Sequence, residues 1–171
     1  MTIKKEVSKA KVSKTHYLVL GIKSWKKELP NTWRNLIIAE ALNYCVCHEG
    51  LIIKGYLLAQ KRIYLIAINE SHSMENVLTI FSKQVIKGIY EYERRRDNNY
   101  EAPLVSKIFD DLFIKHPLYN QYIIKLITGK KIMSPYYNPY VVWLENKIRN
   151  YNYCSAIDYS GAKGPVLVQI H

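Results

Sequence analysis

At 171 residues, 49% of them apolar, the chain reads as one globular domain, not a disordered or fibrous one. Its apolar runs fall far short of the roughly 18 residues that a membrane-spanning helix needs. Met1-Thr2-Ile3-Lys4-Lys5-Glu6 lacks the apolar core of a signal peptide, so the expectation is a cytoplasmic protein. Lys and Arg number 25 against 14 acidic residues, a formal charge of +11, which favours a polyanionic partner, nucleic acid before an anionic membrane.

Residues Met1–Thr15 are rich in Lys and Ser, which predicts a basic, flexible arm ahead of a single domain over residues 16–171. His16–Ile22 is almost continuously apolar, as a central strand would be. The basic loop Lys23-Ser24-Trp25-Lys26-Lys27 follows. Trp25, and Trp33 beyond it, either stack on bases or anchor the loop to the core. Asn31 or Thr32 can cap the next helix, whose apolar positions Trp33, Leu36, Ile37, Ala41, Tyr44 and Cys45 recur at helical spacing and which ends by Gly50. Two short runs rich in β-branched and aromatic residues, Ile52–Leu58 and Arg62–Ile68, flank Ala59-Gln60-Lys61 and predict a hairpin at the centre of a sheet. Ser71 or Ser73 can cap a second long helix, apolar at Met74, Val77, Leu78, Phe81, Val85, Ile89 and Tyr92, that stops at Asp97-Asn98-Asn99. Its other face carries Lys83, Lys87, Glu91, Arg94, Arg95 and Arg96, and the five basic residues are the densest basic cluster in the chain. That cluster either contacts phosphates or is a solvated helix end that complements the helix dipole.

The order so far is strand, helix, strand, strand, helix, and Leu104–Phe109 is the expected sixth element, a strand. This predicts the α+β class, with a ferredoxin-like β-α-β-β-α-β core, an antiparallel sheet, and C-terminal helices and a tail added to it. Past Asp111 the pattern turns helical. His116-Pro117 opens a segment that runs to Gly129, Lys130–Pro135 is a turn, and a short helix over Tyr140–Ile148 follows Asn138-Pro139. Pro165–Ile170 reads as a last extended segment. Cys45, Cys47 and Cys154 fit reduced thiols better than a disulfide framework, and the five histidines share no metal-ligand spacing.

The stretch Asn138-Pro139, followed by Asn150-Tyr151-Asn152-Tyr153-Cys154-Ser155-Ala156-Ile157-Asp158-Tyr159-Ser160-Gly161-Ala162-Lys163-Gly164, resembles the end of REP-associated tyrosine transposases, which reads "NPVRAGLV…YxYSSxxDYxGxxG". Upstream, Glu40-Ala41-Leu42-Asn43-Tyr44 is similar to their "EAL…Y". Gly55–Ala67 is similar to their strand "AYVIMPNHVHLIV", and Met74–Lys83 to their "L…ILxxFK". The resemblance covers most of Leu18–Val168, and its most specific part is Asn150–Gly164.

That family belongs to the HUH single-strand transposases, so the resemblance implies a ferredoxin-like fold, single-stranded DNA, hairpin-bearing or otherwise structured, as partner, and a homodimer. It also implies strand cleavage by a tyrosine, with a magnesium or manganese ion held by two histidines. The metal would polarise the scissile phosphate and the tyrosine would form the covalent intermediate. Here the two histidine positions hold Arg62 and Tyr64, after Lys61. Arginine carries only donors and is always charged, so it cannot bind a cation. The family's metal ligands are therefore lost and no cofactor is expected. Tyr122 is the candidate for the family's tyrosine position. The expectation is a transposase-like protein that binds single-stranded DNA without metal-dependent cleavage, through Lys61, Arg62, Tyr64, Lys83, Lys87 and Arg94–Arg96. A dimerisation or regulatory module that no longer binds nucleic acid is the alternative, and an enzyme with a rebuilt site ranks below both.

Overall fold

The described residues of the computed structural model are 13–25, 29–99 and 109–171. In chain order they form β1 (Thr15–Ile22), α1 (Asn31–His48), β2 (Leu51–Leu58), β3 (Arg62–Asn69), α2 (Met74–Arg96), the single turn α3 (Phe109–Leu112), β4 (Phe113–Pro117), α4 (Gln121–Ile127), α5 (Pro139–Arg149) and a last turn α6 (Ala156–Tyr159). The strands make one antiparallel sheet in the order β2-β3-β1-β4. The fold is α+β.

Side-chain alternation sends the two sides of each strand to different partners. Leu18, Leu20 and Ile22 of β1, with Ile63, Leu65 and Ala67 of β3, join the main core under α1 and α2, where Ile38, Leu42, Phe81 and Val85 are buried. Val19, Leu57 and Ile66 face the other way and pack with Ile123 and Ile127 of α4 and Leu144 and Ile148 of α5. The sheet is therefore the middle of three layers.

A register shift between Ile53 and Gly55 gives β2 an extra residue opposite β3. It reverses the alternation, so Tyr56 and Leu58 face the same core as Leu51 and Ile53. Gly55 turns toward α4, where a Cβ would lie 2.8 Å from the Ile127 carbonyl oxygen. Only a residue without a side chain lets α4 approach this closely.

Several boundaries differ from expectation. The fourth strand is Phe113–Pro117, not Leu104–Phe109. Phe109 lies in the helical turn α3, and residues 104–108 lie outside the described residues. Phe113 provides the strand's one buried side chain, while residues 114–117 are exposed, and so short an edge strand leaves almost no alternation to read. Neither Asn31 nor Thr32 caps α1. Pro30 holds that position with no side-chain cap, while the C-terminal end of the helix is marked, as expected, by Gly50 at φ 68°. Ser73 does cap α2, accepting from the Asn76 amide. Of the expected arm, Thr15 begins β1 and residues 1–12 lie outside the described residues, as do Lys26 and Lys27. Residues 165–170 form no strand, and one backbone bond, Gln169 N–H to Ile53 C=O at 2.9 Å, ties them to β2.

All three cysteines are free. Burial pushes the Cys45 thiol up to about 12 and the Cys154 thiol up to about 11, whereas Cys47 is exposed. A thiol reagent at about pH 8 attacks thiolate. One fast-reacting thiol per chain is expected in the native protein and three after unfolding, countable by absorbance.

Candidate nucleic-acid interface

The second face of the sheet is where β3, α4 and α5 meet. Asn120 sets the start of α4: its side-chain oxygen accepts from the backbone amides of Tyr122 (3.1 Å) and Ile123 (3.2 Å). Its amide nitrogen donates to the Tyr140 hydroxyl at 3.1 Å. Asn138 caps α5 in the same way, taking the Tyr140 amide at 3.0 Å, with Pro139 in the first helical position. Tyr140 is thus held through both its backbone and its side chain, and its own hydroxyl proton is left to donate.

A cleft of about 190 Å³ opens between these elements, lined on the sheet side by Leu57, Arg62 and Tyr64 and on the helix side by Asn120, Tyr140, Trp143, Lys147 and Tyr151. No carboxylate lines it. Lys147 lies 4.8 Å from the Trp143 ring centroid, close enough for cation–π attraction. The Trp143 ring is 5.9 Å from that of Tyr140, which is 5.9 Å from that of Tyr122. Arg34, only 3% exposed at the start of α1, fixes the hairpin turn beside the cleft by donating to the Gln60 carbonyl at 2.7 Å. Burial lowers the Arg34 pKa from its usual value, and among the described residues no carboxylate pairs with it.

The residues picked from sequence divide between the two sides of the sheet. Arg62 and Tyr64 line the cleft, and Lys61 is exposed in the turn next to them. Tyr122 stands beside the cleft, touching Tyr140 without lining the site. Lys83, Lys87 and Arg94–Arg96 belong to α2, whose buried residues face the main core, so they lie in the opposite layer. Lys87 shares a shallow groove there with Glu40 and Glu91. Trp25 is an anchor, its ring N–H bonded to the Leu112 carbonyl at 2.8 Å, and Trp33 packs on Tyr92.

Sequence reasoning missed Asn120, Tyr140, Trp143, Lys147 and Tyr151. For three of them a signal existed: positions 140, 143 and 147 share one face of a helix. Tyr151 lies outside any periodic element and gave none.

The motif residues that carry the resemblance form a clamp. Ser155 is fully buried; its hydroxyl accepts from the Tyr56 amide (2.9 Å) and donates to the Ile127 carbonyl (2.5 Å), tying β2 to α4. Tyr159 donates to the Lys54 carbonyl at 2.6 Å, and its ring lies against Gly129, which has φ 73°. Asp158 accepts from the Gly164 amide at 3.1 Å. Its carboxylate also approaches Tyr56, whose phenol is pushed well up by burial first and by Asp158 second.

A divalent metal does not fit these residues. The cleft lining holds Arg62, Tyr64 and Lys147 and no carboxylate, histidine or cysteine, and among the described residues no three His, Cys, Asp or Glu side chains gather as a ligand set. A larger cavity of about 510 Å³, between β2 and residues 163–169, sets Glu70 and Asp158 against Lys163, a lining that does not suit a polyanion. No helix among the described residues is long and apolar enough to cross a membrane. In comparisons with known proteins no family model, no curated protein and no solved structure matched the chain.

Proposed function

We propose that this protein binds single-stranded nucleic acid in the cleft between β3 and α5, as a transposase-like member of the HUH tyrosine class that has given up metal-dependent cleavage. One observation carries the reading. Two cations, Arg62 and Lys147, share a small cleft with Tyr64, Tyr140, Trp143 and Tyr151, and no carboxylate lines it. Guanidinium and ammonium groups hold phosphates, while aromatic faces take unpaired bases. The ferredoxin-like reading of the core is supported by the order β1-α1-β2-β3-α2 and by the strand order β2-β3-β1-β4, with the single turn α3 standing between α2 and β4. Arg62 stands where the family holds its metal, and holds a phosphate directly instead. On this reading the protein works on nucleic acid in the cytoplasm and needs no cofactor.

The test is fluorescence anisotropy of a labelled single-stranded DNA across salt. Affinity is expected at low salt, tighter than for a duplex of the same length, and falling linearly on a log–log plot as salt rises. No binding at low salt overturns the proposal.

A second reading, a dimerisation module without nucleic-acid binding, draws on β4. It is the terminal strand of the sheet, and Ile114 on it is 48% exposed, so a second copy could pair there. A dimer in sedimentation with no oligonucleotide affinity would favour it.

A further inference from the structure

Among the described residues nine large aromatic side chains stand exposed, and six of them fall within residues 119–143: Tyr119, Tyr122, Tyr136, Tyr137, Tyr140 and Trp143. Tyr136 and Tyr137 are 83% and 80% exposed, and none of the six joins either core cluster. Burial in a core therefore does not account for them, and Tyr136 and Tyr137 stand almost fully in solvent. The loop that carries Tyr136 and Tyr137 is nonetheless ordered: Ser134 donates its hydroxyl to the Tyr136 carbonyl at 2.7 Å, and Asn138 immediately begins α5. Tyr137 lies three residues from Tyr140, hence within about 11 Å of it even at full extension. Basic residues outnumber acidic ones along the sequence that carries these rings. Residues 118–153 carry five basic residues, Lys125, Lys130, Lys131, Lys147 and Arg149, against Glu145 alone, a net +4.

We infer that these rings form a stacking track for a single strand, running from the cleft over Trp143, Tyr140 and Tyr122 to a tip at Tyr136–Tyr137. The inference rests on the cleft being a nucleic-acid site and adds the form of the ligand: several successive unpaired nucleotides. The cleft, at about 190 Å³, is below the range of pockets that enclose a whole small ligand, so it takes one base-sized group. The remaining nucleotides need surface outside it. Exposed rings supply that surface for any base, at about 1–3 kcal/mol each, because every base has a π face. Bases in a duplex hide those faces in their own stack, so the track selects unpaired strands. The lysines at 130 and 131, in the same loop as the tip, are set to meet the backbone phosphates.

The experiment is titration with thymidine oligonucleotides about two to twelve residues long, read by anisotropy and by quenching of tryptophan fluorescence. Wild-type protein is compared with Tyr136→Ser/Tyr137→Ser and with Trp143→Phe. Affinity is expected to rise stepwise with length and then level off. The double tyrosine variant should bind the longest oligonucleotide at least tenfold more weakly while binding the dinucleotide as wild type does. Trp143→Phe should remove most of the quenching, since Trp25 is bonded in the core and Trp33 lies on the opposite layer. Wild-type affinity of the double variant for the longest oligonucleotide overturns the track. So does a loss of binding to phosphatidylserine vesicles with oligonucleotide binding intact, which would make the tip a membrane anchor. If wild-type protein binds no oligonucleotide at any length, the reading of the cleft itself falls, and the track with it.

Discussion

Replacing Arg62 and Lys147 together by alanine is expected to weaken binding of a single-stranded oligonucleotide about a hundredfold at low salt, with Arg62→Ala alone giving about tenfold. A hydrogen bond to a charged group contributes about 1.5–3 kcal/mol, and about 1.4 kcal/mol is a factor of ten. Each lost phosphate contact should also lower the slope of log affinity against log salt by about 0.7, the value for single strands. Arg62→Lys keeps the charge but loses the planar fork that grips two phosphate oxygens, so it should fall between wild type and Arg62→Ala. Lys83→Ala with Lys87→Ala removes as much charge from the far layer of the sheet, and should change affinity less than twofold. If that pair matters as much as Arg62 and Lys147 do, the polyanion sits on α2 and the cleft is not the site.

Gly55→Ala should lower stability by about 2–3 kcal/mol, read as a shift of the urea midpoint, and Ser155→Ala by a similar amount. The causes differ. At Gly55 a methyl group would sit 2.8 Å from the Ile127 carbonyl oxygen and 3.1 Å from an Ile127 side-chain carbon. The backbone of α4 cannot give way locally, and overpacking of this kind costs about 1–3 kcal/mol. At Ser155 no clash arises. Instead the Tyr56 N–H and the Ile127 carbonyl each lose a partner in a fully buried place, and a buried unsatisfied group costs about 1–3 kcal/mol. These losses are large against a typical total of about 5–15 kcal/mol. Because α4 also carries the Asn120 cap that holds Tyr140, Gly55→Ala should weaken oligonucleotide binding even where the protein stays folded. Ser155→Ala leaves the gap between helix and sheet unfilled and should affect binding less. Equal stability of Gly55→Ala and wild type would mean that α4 does not lie on β2 as described.

The sheet and its two long helices were legible because their patterns are long and their signals agree: alternation in β3, a capping Ser73, a left-handed Gly50. β4 was not, since five residues with a single buried side chain carry no periodicity, and the helical turn α3 precedes it directly. The extra residue in β2 is equally silent: Ile52–Leu58 reads as one continuous strand run, and the shift at Lys54-Gly55 keeps both faces of the strand in register with their cores. At the site, Arg62 and Tyr64 were singled out by the resemblance to the transposases' histidine pair and not by any periodicity, and both line the cleft. Their partners across the cleft needed the third layer. Nothing in the periodicity of α4 and α5 says that these helices cover the face of the sheet opposite α1 and α2. The basic cluster on α2 drew attention by its density alone, and density does not report which side of a sheet a helix covers.

The clamp on β2 also bears on how the chain acquires its structure. The outward-facing groups of β2 at Lys54, Tyr56 and Leu58 are satisfied by Tyr159, Ser155 and Tyr153, about a hundred residues further along the chain. Until that later segment has been synthesised, β2 is an open strand edge able to template pairing with any other extended chain. Such distant closures make folding slow, because the entropy of the loop is lost before its contacts form. A nascent chain that has completed both long helices and the hairpin therefore still carries a sticky border, and synthesis of residues 153–159 marks the moment at which that border can close.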